Sequence, residues 1–333
     1  MALERLTLTD PRLPALLEGR PVPFFCSPIW NEVLEQGLGA RAAYYAVAEG
    51  GVYRAALAGV HLKFGPVRMF YANIPYGGLI GDASAFPLLA SELDAQLRGE
   101  GVHEVRIVRT AFDAFDPPAG YECTEAVHHL LDLGALDFTS PRPYPSNVMR
   151  NVRKALDDGV EVRDIEAPDQ VDRLYDLYVD TMRRKAAPTT WTRRFLRALY
   201  ERLVVAGRAQ MLLAWHEGRI VAGIVLIRSG EIVYYFFGAS DAEALAHRPN
   251  DLLFSEAIRR SAADGCRTFD FMTSRSADEG LIRFKEKWGG RPKPLRIYRT
   301  ELSRMHARLW RWTQRAAGSR LGAALVRWLQ NRR

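Results

Sequence analysis

Residues 280–290 read GLIRFKEKWGG. At helical spacing Leu281, Phe284 and Trp288 share one face; Lys285 neighbours them, while Glu286 and Lys287 point away. Lys285 is thus expected at the edge of an apolar stripe, half covered. A cation held there would stabilise the oxyanion of an acyl transfer, or grip a substrate phosphate as a point charge. The plain alternative is a surface lysine whose stem lies along its helix.

Other segments carry groups of the same kind. In IPYGGLIGD, Gly77 and Gly78 would let a ligand or another backbone approach, and Tyr76 would bind a sugar or peptide; a simple turn is the alternative. Asp82 would hold or deprotonate an incoming ammonium, or cap a helix beginning near Ser84. Arg150 and Lys154 share a helix face, with Arg153 beside them. That cluster suits a nucleotide or lipid diphosphate, or is a solvated face. Arg183, Arg184 and Lys185 end a helix, where the dipole favours cations. Alternation along Tyr234–Phe237 places Tyr235 and Phe237 on one face. They read as core, or as a wall of a donor cleft. Asp270 and Ser274 lie at the end of the next strand, where ligands bind in such sheets. His128 and His129 have no metal partner at a recognisable spacing and receive no role. No metal site is expected, and Trp30 reads as a core anchor.

The elements that must position these groups follow from length and pattern. With 333 residues, 48% of them hydrophobic, the chain suits two globular domains. Cys26, Cys123 and Cys266 are odd in number and lack CxxC spacing, so buried free thiols in a reducing cytoplasm are expected. The N-terminus lacks a signal-peptide core, and no run is long enough to span a membrane.

The net charge of +7 is local. Residues 304–333 hold eight arginines and no carboxylate, whereas residues 1–303 hold 38 basic and 39 acidic side chains. The tail reads as a basic amphipathic helix. An anionic membrane surface, RNA phosphate and packing on protein are the three readings of it.

The second half gives the order β-α-α-β-β-β-α-β-α-β, with turns at Glu217-Gly218 and Ser229-Gly230. The first half repeats a weaker version: a helix near 28–36, strands near 43–48, 52–63 and 66–73, a helix at 84–99, then strands around HEVRIVR and AVHHLLDL. The Pro-rich TSPRPYPSNV joins them and leads into a bridging helix capped by Ser146 or Asn147 and stopped by Gly159. The expected domains are 1–138 and 160–302, with 139–159 as linker and 303–333 as tail.

This order resembles the Gcn5-related N-acetyltransferase (GNAT) fold, an α/β fold, and two copies in one chain resemble the FemABX peptidyl transferases. RNVRKALDDGVEVR, YVDTMRRKAAPTT, PNDLLFSEAIRRSAADGCRTFDF, RFKEKWGG and IPYGGLI are similar to that family's segments, in order, over about residues 25–300. The resemblance implies transfer of an amino acid from aminoacyl-tRNA, or of another activated acyl group, onto an amine of a peptidoglycan or polysaccharide precursor. It implies Lys285 and Asp82 as catalytic candidates. It turns Arg184 toward the cleft and adds Phe284 and Trp288 to the substrate-binding set. The acceptor is expected against Tyr76, Arg150 and Lys154, and the donor beside Tyr235, Asp270 and Lys285.

No cofactor is implied. Acyl-CoA members of the fold carry a glycine-rich pyrophosphate loop after the fourth strand, and GASDAEALAHRPNDLL departs from it. The alternatives are an acyl-CoA or acyl-carrier donor in exopolysaccharide synthesis, a non-catalytic membrane adaptor and an RNA-binding module.

Overall fold

A computed structural model describes residues 3–113, 115, 120–140, 142–274, 278–303 and 305. Apart from Met305, the expected basic helix over 304–333 lies outside the described residues. The chain forms two compact units, one built from 1–125 with 296–333 and one from 126–295.

Unit 1 begins with β1 (Leu3–Leu6), α1 (Leu13–Leu17) and α2 (Pro28–Leu38). Then come β2 (Arg41–Glu49), β3 (Val52–Phe64), β4 (Val67–Ala72), β5 (Leu79–Gly81), α3 (Phe86–Gly99) and β6 (Glu104–Arg109). β1 to β4 form an antiparallel run, β4 pairs β6 in parallel, and β5 pairs β3. Ser27 caps α2 by accepting from the Trp30 N–H, and Gly39 ends it in the left-handed conformation. Trp30 is fully buried and its indole N–H donates to Ile74 O at 2.7 Å, so the anchor reading holds.

β7 (Glu122–Asp132) starts in unit 1 and passes into unit 2 at Ala126. Unit 2 continues with α4 (Ser146–Asp157), β8 (Glu161–Asp164), α5 (Pro168–Arg184), α6 (Arg193–Leu199), β9 (Ala209–His216), β10 (Arg219–Ser229) and β11 (Ile232–Ser240). α7 (Pro249–Ala263), β12 (Thr268–Ser274), α8 (Glu279–Lys287) and the start of β13 (Arg291–Glu301) complete it. β8 to β11 are antiparallel neighbours, β11 pairs β12 in parallel, and β12 pairs β7 antiparallel. From Arg296 onward β13 belongs to unit 1, where it pairs β6. Each unit's sheet therefore includes a strand from the far half of the chain.

The core of unit 2 packs α4, α7 and Trp288 against the sheet. Trp288 meets Tyr144 edge-on at 4.9 Å. Burying such an indole stabilises by about 2–3 kcal/mol. The Glu217-Gly218 turn has positive φ at both residues, as a two-residue hairpin requires.

Several expectations need correction. α4 has Pro145 at its N-cap position with no side-chain cap, since Asn147 bonds only its neighbour's N–H. Cys123 is exposed rather than buried. β1, α1 and β5 were not anticipated.

Candidate active site

The site begins where two strands separate. β11 and β12 pair only from Ile232↔Thr268 to Tyr234↔Asp270. Beyond that β11 stays with β10, and β12 stays with β7. Both strands carry register shifts near this point: β10 shifts against β11 between Val225 and Leu226, and β12 shifts against β7 between Asp270 and Thr273.

The first shift overturns the simple alternation. An extra residue in a strand moves every later side chain to the other face. Tyr235 turns to α7, edge-on to Phe254 at 4.7 Å, while Phe237 turns to Tyr178 of α5 at 5.3 Å. The two therefore face opposite ways. Burial pushes the Tyr235 phenol above its ordinary value, and its hydroxyl fills the space a Cβ on Gly238 would need.

The second shift builds the centre of the site. Asp270 is fully buried; its Oδ1 accepts from the Met272 N–H at 2.7 Å and its Oδ2 lies 3.0 Å from His128 Nδ1. Met272 adopts a left-handed backbone, φ 62°. Its carbonyl accepts from Lys285 Nζ at 2.6 Å. Lys285 is 1% exposed, so the half-covered edge position expected for it gives way to full burial. Its helix is capped by Asp278, which accepts from the Leu281 N–H. Burial pulls its amine down to about 7; the carboxylates of Asp270 and Asp278 oppose that, and Lys185 adds to it.

Among the described residues, His129 Nδ1 on β7 and Ser274 Oγ on β12 leave hydrogen-bonding capacity unused, and both residues are buried. A bound carbonyl or hydroxyl would satisfy such groups. Burial, then the nearby Lys285 charge, holds His129 below the ordinary imidazole range.

Arg184 is exposed along its stem, but its tip donates to Ser240 O at 2.6 Å and to Thr181 Oγ1 at 3.2 Å. It thus ties the end of α5 to the end of β11. Phe284 packs edge-on to Phe254 at 4.9 Å and Trp288 is buried, both as core. Lys287 does not point away: it pairs with buried Asp251 and lies 4.4 Å over the Phe284 ring. Arg150, Arg153 and Lys154 are exposed on α4, and Lys154 pairs with Asp158 at 2.7 Å.

Unit 1 places the remaining candidates. Tyr76 is buried, edge-on to Phe25 at 5.9 Å. A Cβ on Gly77 would meet Ala72 O at 2.2 Å, and one on Gly78 would meet Pro23 at 2.7 Å, so what approaches these glycines is the protein's own chain. Asp82 accepts from the Ser84 N–H at 2.8 Å and pairs with Arg54 at 3.0 Å. Those bonds hold its carboxyl at about 2, and a carboxylate so stabilised is a poor base near neutrality.

His128 had no role in the sequence reading. Its partner Asp270 is 142 positions away, and only strand pairing brings the two together.

Residues 144–286 match the model of an acetyltransferase (GNAT) domain. The matched region lies within unit 2, which has the GNAT fold. The chain also shares its fold with solved structures. FemX matches at 16% identity and TM-score 0.61, over 88% of this chain and 96% of that one. L-PGS from Bacillus licheniformis matches at 14% and 0.59, over 88% and 92%. A tandem GNAT protein from the clavulanic acid biosynthesis pathway matches at 13% and 0.59, over 91% and 99%. No curated protein matches the sequence. Among the described residues no helix is long and apolar enough to cross a membrane, and no cluster of side chains could hold a metal ion.

A coenzyme A pyrophosphate would need free N–H groups at the start of α7. This chain has Pro249 at the first position. The Asp251 N–H already donates to Arg248 O at 3.0 Å. The buried Asp251 carboxylate, paired with Lys287, occupies the first turn. These residues do not fit the pyrophosphate.

Proposed function

We propose that this GNAT-fold acyltransferase forms an amide on an amine of a cell-envelope precursor, taking its acyl group from an aminoacyl-tRNA-type ester. The observation that carries the reading is Lys285, buried beside the separation of β11 and β12 with an amine drawn to about 7. The five family-like segments support the donor and acceptor classes, and the unsuitable first turn of α7 speaks against coenzyme A.

Lys285 has three N–H donors when protonated, and Met272 O takes one. The others would stabilise the tetrahedral oxygen formed when the acceptor amine attacks the ester carbon. As the C–O bond to the donor ribose breaks, Lys285 would give a proton to the departing oxygen. It would recover one from the nitrogen that has become the amide, so the exchange leaves the enzyme unchanged. An amine titrating near neutrality suits both halves of that exchange. No covalent enzyme intermediate is needed; positioning supplies much of the acceleration.

The test is incubation of the full chain with mixed charged tRNAs and a nucleotide-linked muropeptide, reading product mass. A precursor gaining one amino-acid residue mass, and failing to do so with Lys285→Ala, supports the proposal. No gain with any charged tRNA, together with saturable coenzyme A binding and a thermal shift, would replace it with an acyl-CoA reading. Full cellular function of Lys285→Ala would favour a non-catalytic adaptor.

A further inference from the structure

We propose that His128 is the positioning residue for Lys285, acting through a buried run of hydrogen bonds from β7 through β12 to α8. The proposal rests on Lys285 being the working group of the site, and it adds the device that holds that group in place.

The run has three links: His128 Nδ1 to Asp270 Oδ2 at 3.0 Å, the Met272 N–H to Asp270 Oδ1 at 2.7 Å, and Lys285 Nζ to Met272 O at 2.6 Å. His128 and Asp270 are fully buried and Lys285 is 1% exposed, so water does not compete for these bonds. A carboxylate oxygen only accepts, so the link to Asp270 requires the proton on His128 Nδ1.

The middle link explains why the imidazole matters at a distance. Met272 has a side chain yet holds φ at 62°. A non-glycine residue keeps such a backbone only where its surroundings fix it. Here the fixing bond is the one from the Met272 N–H to Asp270. Without it the peptide is free to relax toward ordinary strand geometry, and the carbonyl that orients Lys285 turns away. Asp270 can hold Met272 only while its own second oxygen is satisfied, since a buried carboxylate lacking donors reorients or takes up a proton. His128 supplies that donor. The register shift between Asp270 and Thr273 has the same logic: the irregular backbone presents a carbonyl toward α8 instead of toward β7.

Other charges bear on Lys285 from each neighbouring element. They are Asp270 on β12, Asp278 ahead of α8 and Lys185 after α5, while His129 on β7 feels Lys285 in turn. Among these, Asp270 is the one that the His128 link controls.

The experiment titrates Lys285 directly in the full chain labelled with 15N-lysine, following the Nζ resonance that disappears in Lys285→Met. His128→Phe keeps a ring and removes the donor. His128→Asn places an amide N–H near the position of Nδ1–H. The expected result is a titration midpoint moved downward by about half a pH unit or more in His128→Phe, because Asp270 opposes the loss of charge less well. His128→Asn should return it close to wild type. An unchanged midpoint in a folded His128→Phe overturns the proposal, as does a shift that His128→Asn fails to reverse. If His128→Phe does not fold, His128→Leu takes its place; if neither folds, His128 is a folding residue and the proposal falls. The readout is a lysine titration and not product formation, so it can fail while tRNA-dependent transfer stands, and it can succeed if the donor proves to be another ester.

Discussion

Replacing Lys285 by methionine is expected to stabilise unit 2 while abolishing transfer. An exposed lysine amine titrates near 10.5, and burial brings this one to about 7. The charge is therefore disfavoured in its folded place by about 4–5 kcal/mol. Methionine is unbranched, uncharged and adaptable. It forfeits the bond to Met272 O, and a buried carbonyl left without a donor costs about 1–3 kcal/mol. The net gain for the variant is about 1–4 kcal/mol where the penalty is fully present. Below about pH 7 the lysine is protonated in both folded and unfolded chains, and the folded state carries the whole burden. Between about 7 and 10.5 the unfolded chain holds a proton that the folded protein has released, so wild-type stability rises with pH by up to about 1.4 kcal/mol per unit. Methionine does not titrate. The variant's advantage should therefore be largest below pH 7, shrink as pH rises and reverse as it approaches 10. Urea unfolding of both proteins at pH 6, 7.5 and 9 measures this. A methionine variant less stable than wild type at pH 6, or a difference that stays constant from pH 6 to 9, would refute the reasoning.

Two further outcomes are expected. Gly77→Ala should lower the urea midpoint without changing the slope, by about 1–3 kcal/mol of overpacking, because its Cβ would press on Ala72 O; an unchanged midpoint would mean that the loop yields freely. Asp82→Asn should leave the transfer rate within about threefold, whereas loss of a general base costs about 10²–10⁴-fold. A loss in that range in single-turnover assays would restore Asp82 to the chemistry.

The long, periodic elements were legible. α5 and α7 show helical spacing with proline at their starts, and both form as helices from that proline. β1, α1 and β5 span three to five residues, too short for any period to register. Tyr235 and Phe237 were misplaced because a bulge is one extra residue, and a local pattern gives no warning of it. Lys285 was visible as a candidate through its motif, but its depth was not. A helical wheel shows only the neighbours on its own helix, and what encloses this amine includes a β12 carbonyl. His128 was illegible for the same reason in stronger form: nothing within its own strand marks it out.

The exchange of strands has a consequence for how the protein is made. Unit 1 pairs β6 with β13, so its sheet lacks a member until residues 296–301 have left the ribosome. Early domains often fold during synthesis, but this one must wait for nearly the whole chain while its β6 edge stays open. An unpaired strand edge invites association with other chains. Expression temperature and holding chaperones should therefore govern yield more than the stability of the finished fold does. A half cut at residue 159 would remain in the vulnerable state permanently, without β13 to close its sheet.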